Sequence, residues 1–146
     1  MSFKPHEIEY MKAADLARLA TIQPDGTLQN SPVGFTFNER LGTIDIHGYR
    51  MSKSRKFRNL ASNNTVALVI DDIASRNPWR VRCLEIRGTA EQIKAGAKRA
   101  EPNGDEIDDA IIRITPRRII SFGIDDTDTE PHKLTADIRT VPTTAD

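Results

Sequence analysis

Short apolar stretches of strand length, most of them joined by turn residues, run along this chain from Leu16 to Ile124, and only two stretches keep a helical spacing. Strands joined by hairpins pair antiparallel, and with so few helices to cover a sheet face they must close on one another. The expected fold class is mainly β with short helices: five to seven strands in a small antiparallel barrel, with the helices at its openings. Pro5 suits a first helical turn, and Ile8, Met11 and Ala14 follow at intervals of three, so a helix is expected over 5–14. Leu16 to Ile22 reads as a strand, Pro24-Asp25-Gly26 as a turn, and 28–38 as the returning strand of a hairpin. After the Leu41-Gly42 turn, Ile44 and Ile46 alternate with Asp45 and His47 in a third strand.

A second helix is expected over Ser52 to Ala61, with a serine as N-cap and Phe57, Leu60 and Ala61 on one face; Asn63-Asn64 ends it. Val66 to Ile70 is an unbroken apolar run, which implies burial on both faces and a place at the centre of the core. In the next strand Val81 and Cys83 occupy one phase and Leu84 and Ile86 the other, a slip that implies a β-bulge between them. The polar residues 94–108, including Pro102-Asn103-Gly104-Asp105, read as loop. The last strand, about 110–124, contains Pro116, which lacks a ladder donor and must lie at an edge or a bend, turning Arg118 outward.

The 146 residues suffice for one domain, placed at 5–124. Residues 125–146 hold six acids against Lys133 and Arg139 and almost no large apolar groups, which predicts a mobile acidic tail. No run of about 18 apolar residues suggests a membrane span, and the first residues lack the pattern of a secretory signal. A cytoplasmic protein is the expectation. Cys83 stands alone, so no internal disulfide is possible, and it reads as a buried filler. His6, His47 and His132 lie far apart, so no metal site is expected. P-loop, dinucleotide-fold and nucleophile-elbow glycine strings are missing as well.

The stretch most suggestive of chemistry is Lys53, Arg55, Lys56 and Arg58, with no acid between Arg50 and Leu60. Bases at a helix start oppose the helix dipole at about 0.3–1 kcal/mol each, so their concentration there is explained by an anion held among them, or else by a solvated basic face. Arg50 and His47 would extend the same positive region. Zero net charge and few aromatic residues argue against nucleic acid and favour a discrete phosphorylated ligand.

Taken in order, Leu19-Ala20-Thr21, Asp25-Gly26, Asn30-Ser31-Pro32-Val33, Ser54-Arg55-Lys56 with Asn59-Leu60, Ile86-Arg87-Gly88-Thr89-Ala90 and Ile114-Thr115-Pro116-Arg117-Arg118-Ile119 resemble the pyridoxamine-phosphate-oxidase-like flavin enzymes. The branch that uses the deazaflavin coenzyme F420 is the one they most resemble. This resemblance implies a split β-barrel homodimer with cofactor sites between subunits and an oxidoreductase that moves a hydride between reduced deazaflavin and an electron-poor double bond of a small molecule. FMN on the same fold, or a non-catalytic flavin carrier, is the alternative. The resemblance places the cofactor phosphate at Ser54, Arg55 and Lys56, the ring beside Ser31, Pro32 and Val33, its ribityl and phosphate portion along the stretch His47 to Arg50, and Trp79 against the ring from the partner subunit. It names no catalytic acid. The Arg-x-His pair of true pyridoxamine-phosphate oxidases is missing, which argues against vitamin B6 oxidation.

Overall fold

The computed structural model describes residues 2–94, 98–100 and 106–143. Helix α1 (Pro5–Ala13) begins with a proline in its first turn, and the Glu7 carboxylate accepts the Lys4 backbone N–H at 2.8 Å. Strands β1 (Ala17–Ile22) and β2 (Leu28–Val33) form the expected hairpin; Gly26 takes a φ of 86° in its turn and Thr27 N–H donates to Asp25 Oδ1 at 3.0 Å. Gly34 and Phe35 break the second half of the expected strand, so β3 is only Thr36–Asn38. β4 (Thr43–Ile46) follows, then a 3₁₀ turn over Met51–Lys53 and helix α2 (Arg55–Asn59). The second helix is thus much shorter than the 52–61 its apolar face suggested.

Two long strands, β5 (Thr65–Arg76) and β6 (Trp79–Ile93), dominate the sheet. Within the region read as loop, β7 (Lys98–Ala100) pairs with β8 (Glu106–Asp108) in a small separate sheet; Pro102 to Asp105 lie outside the described residues. β9 (Ile111–Phe122) is the last long strand, and β10 (Asp137–Thr140) pairs with its second half. The main sheet runs β2-β1-β5-β6-β9-β4-β3, antiparallel throughout. The segment after 124 is therefore no detached tail. Its sequence is too polar to reveal this: β10 pairs with β9 through the backbone, and its charged side chains make ion pairs, Arg139 to Glu7 and Asp137 to Lys4.

The core contains Leu19, Ile44, Ile46, Leu68, Ile70, Leu84, Ile86, Ile112, Ile114 and Ile119, each at most 1% exposed. Val66, Leu68 and Ile70 face it, whereas Ala67 and Val69 on the opposite face are half-buried, so this strand is covered on one side only. The strand pairing passes Cys83 and Leu84 without a shift, and no bulge exists there. Both phases are apolar because Leu84 and Ile86 enter the core while Val81 and Cys83 lie half-buried on the outer face. The register shifts lie elsewhere, at Ile73/Ser75 and opposite Arg87/Gly88. At the second shift Pro116 pairs with Gly88 while Arg118 pairs with Arg87, leaving Arg117 as the extra residue and Arg118 exposed, as the proline demands.

Candidate cofactor site

From the end of β4 the chain runs outward across the barrel and is pinned by apolar anchors: Met51 is 1% exposed and Phe57 2%. With these positions turned inward, Arg50, Lys53, Arg55 and Arg58 are exposed and Lys56 half-buried. Ser54 caps α2, accepting Phe57 N–H at 3.3 Å while its hydroxyl donates to the Met51 carbonyl at 2.7 Å. Asn59 Nδ2 donates to Thr21 Oγ1 at 2.9 Å and to Gln29 Oε1 at 3.0 Å, docking the helix on the β1–β2 hairpin. The segment encloses a cavity of about 410 Å³ whose lining includes Gly48, Tyr49, Arg50, Lys53, Ser54 and Lys56.

Electrostatics distinguish this cavity. Elsewhere Lys4, Lys12, Arg18, Arg82, Arg87, Arg113, Lys133 and Arg139 each meet a carboxylate, and the other described cations without an ion pair, Arg40, Arg76, Arg80, Lys94, Arg117 and Arg118, are spread along the chain, whereas those at the cavity are contiguous. Among the described residues, Arg50, Lys53, Arg55, Lys56 and Arg58 form no ion pair. Asp25, held below its usual range chiefly by hydrogen bonds from Thr27, also feels the Arg55 charge. At five residues α2 is too short to carry a full helix dipole, so the pull on an anion comes from these side chains and not from the dipole invoked on sequence grounds.

Ser31 adds a second polar feature. Its Oγ is buried with no hydrogen-bond partner, and it shares the face of β2 with Gln29, to which α2 docks. A buried hydroxyl left unpaired is costly unless a ligand completes it. Arg50, Ser54 and Lys56 line the cavity, with Arg55 exposed beside them. His47 is exposed just before the first lining residue, Pro32 is exposed, and the Val33 side chain is committed to the core, so only its backbone can face a ligand. Trp79, 55% exposed, sits at the far tip of the β5–β6 hairpin. Eleven residues of strand, about 35 Å, separate that tip from the α2 end, so one chain cannot bring its own Trp79 to its own basic cavity. Gly48 and Tyr49, within the stretch His47 to Arg50 that the resemblance sets beside the ribityl and phosphate portion, also line the cavity, and Tyr49 is 68% exposed amid cations.

A larger cleft of about 670 Å³ lies under α1, but both of its arginines are paired with carboxylates and Glu9 and Asp15 add negative charge. Arg82 pairs with Asp72, Arg18 with Asp71, and the Tyr10 hydroxyl donates to Asp72 at 2.7 Å. Burial, then Asp72, pushes the Tyr10 phenol well above its ordinary range, so it stays protonated. Size favours this cleft and unpaired charge favours the smaller one; for an anionic ligand the charge decides.

Residues 4–125 match the sequence profile of the pyridoxamine 5'-phosphate oxidase family. The chain belongs to that family. A curated relative, the 5a,11a-dehydrotetracycline/5a,11a-dehydrooxytetracycline reductase of Streptomyces rimosus subsp. rimosus, is 44% identical over 125 residues, covering 86% of each chain. Among solved structures, an F420 reductase is 25% identical with a TM-score of 0.59, over 78% of this chain and 94% of that one. A pyridoxamine 5'-phosphate oxidase-related, FMN-binding protein of Nostoc punctiforme shares the fold at a TM-score of 0.61 and 11% identity, over 97% of this chain and all of that one. This member of the pyridoxamine 5'-phosphate oxidase family is an oxidoreductase on a flavin-binding fold.

Proposed function

We propose that the protein is an F420-dependent reductase that transfers hydride to an electron-poor double bond of a small organic molecule, working as a homodimer. The observation that carries this reading is the set of five cations without ion pairs around the 410 Å³ cavity, more positive charge than one phosphate requires. F420 bears a glutamyl tail beyond its phosphate, and Arg50, Lys53 and Arg58 extend the basic track past Ser54, Arg55 and Lys56. Bound there, the coenzyme supplies the hydride chemistry; the chain orients it and excludes water. Ser31 Oγ, buried and without a partner, would complete a hydrogen bond to the ring portion. The named relatives, a reductase of a dehydro compound and an F420 reductase, agree with this chemistry. FMN is the alternative, supported by the Nostoc punctiforme neighbour.

Fluorescence titration with F420 and with FMN separates the two cofactors; tighter binding of FMN moves the assignment to the second. Replacing Arg55 and Lys56 together with Ala is expected to weaken binding by about 3–5 kcal/mol, at least 100-fold in Kd, since each charge-assisted bond contributes about 1.5–3 kcal/mol. Unchanged affinity would remove the basis of the proposal.

A further inference from the structure

The basic segment is gripped from behind by one acidic side chain. Asp108 Oδ2 accepts the Ser52 backbone N–H at 3.0 Å and also the Ser52 hydroxyl. Its Oδ1 accepts Ala110 N–H at 2.9 Å, and its own N–H donates to the Tyr49 carbonyl at 3.0 Å. Residues 49 and 52, on either side of Arg50 and Met51, are thus tied to a single residue at the end of β8. On the far side of Ser54, Gln92 Nε2 donates to the Phe57 carbonyl at 2.8 Å. Gln92 and Asp108 stand at the two ends of the excursion that joins β6 to β9, so that excursion holds the basic segment at both flanks.

Asp108 does not line the cavity. Its contacts to Ser52 and Ala110 fix the path of the chain between the cations from behind. We infer that Asp108, through Ser52, is a positioning residue for the anion-binding segment: it sets the geometry in which Ser54 meets the phosphate of the cofactor and in which Arg50 and Lys53 continue the basic track beside it. This rests on the proposed function, and it assigns a role to a residue that never touches the ligand.

The test uses the full-length protein and pairs each cofactor with its phosphate-free form: F420 with its deazaflavin core, FMN with riboflavin. Asp108→Ala is expected to lose about tenfold in affinity for the phosphate-bearing form and less than twofold for the phosphate-free one. Ser52→Ala should show the same selectivity, and the double variant should be no worse than Asp108→Ala alone, since both act through one contact. Asp108→Asn, whose amide oxygen still accepts from Ser52 N–H, should restore affinity to within about threefold. Equal losses on both ligand forms, additive losses, or unchanged affinity in Asp108→Ala while the Arg55/Lys56 double variant is impaired would overturn the inference and leave the proposed function intact. If the Arg55/Lys56 variant binds normally, both fall. Should Asp108→Ala fail to fold, Ser52→Ala decides by the same selectivity.

Discussion

Glu7 shows how much a single side chain carries in this fold. It is fully buried, yet Arg139, Ser121 Oγ (2.6 Å) and Lys4 N–H (2.8 Å) all donate to its carboxylate. Burial pushes its pKa up, but the hydrogen bonds from Arg139, Ser121 and Lys4 outweigh that and hold it below the ordinary glutamate range. Asp45 follows the same pattern: burial raises it, and Arg113, Asn38 and Thr43 more than reverse this. Because both folded pKa values lie below the unfolded ones, the stabilisation is complete above the ordinary carboxylate range near about 4, and is lost as pH falls through it. Glu7→Gln should therefore cost about 3 kcal/mol at pH 7, roughly 10 °C in melting temperature. The gap to the parent should begin to narrow as pH falls below the ordinary glutamate value and go on narrowing until pH has passed the lowered folded one. A gap independent of pH would show that packing, and not the charge, is what Glu7 supplies.

Among elements, the decisive junction is where β6 crosses the irregularity in β9. A Cβ built on Gly88 would stand 2.1 Å from the Thr115 carbonyl oxygen, a clash with backbone that no rotamer relieves. Gly88→Ala is expected to destabilise by about 2–3 kcal/mol, whereas Gly34→Ala, with nothing within 4 Å, should be nearly neutral; thermal melts of the two variants check this. Elements of this kind were legible in the sequence where their cause is local: Pro24 to Gly26, the Ser54 cap and the Pro116 irregularity each announce themselves through backbone chemistry. β10 was not, because Asp137–Thr140 is a polar strand whose charged side chains find their partners in Lys4 and Glu7, more than a hundred residues away. The same division runs through the candidate site. The cations from Arg50 to Arg58 are contiguous and readable, and the anion they imply is a local inference. Asp108, whose carboxylate holds Ser52 across a sequence separation of 56, sits in a stretch that reads only as polar loop.

For the whole molecule, one mismatch between sequence and structure remains to be placed. Val66 to Ile70 is apolar at every position, as strands covered on both faces are, yet only Val66, Leu68 and Ile70 are in the core. The uncovered side carries Val69, Val81, Cys83, Phe122 and Ile120, half-buried, with Ile73 at 41% and Ile138 at 54% exposed, around Asp71 and Glu85. An apolar strip of this extent on one face is what a protein interface exposes when its partner is removed. A second copy of the chain is the occupant expected here, because Trp79, at the far tip of a hairpin about 35 Å long, would reach a basic cavity only on a neighbouring chain. The protein is therefore expected to sediment at twice 16.3 kDa at micromolar concentration. Val69→Asp, which alters the outer face and spares the core, should shift it to the single-chain mass with little change in melting temperature at high dilution. The same variant should bind the phosphate-bearing cofactor more weakly, because the basic cavity persists while the partner's contribution is lost. A parent protein that sediments as a single chain, or a Val69→Asp variant that remains dimeric, would show that this face is not where two copies meet.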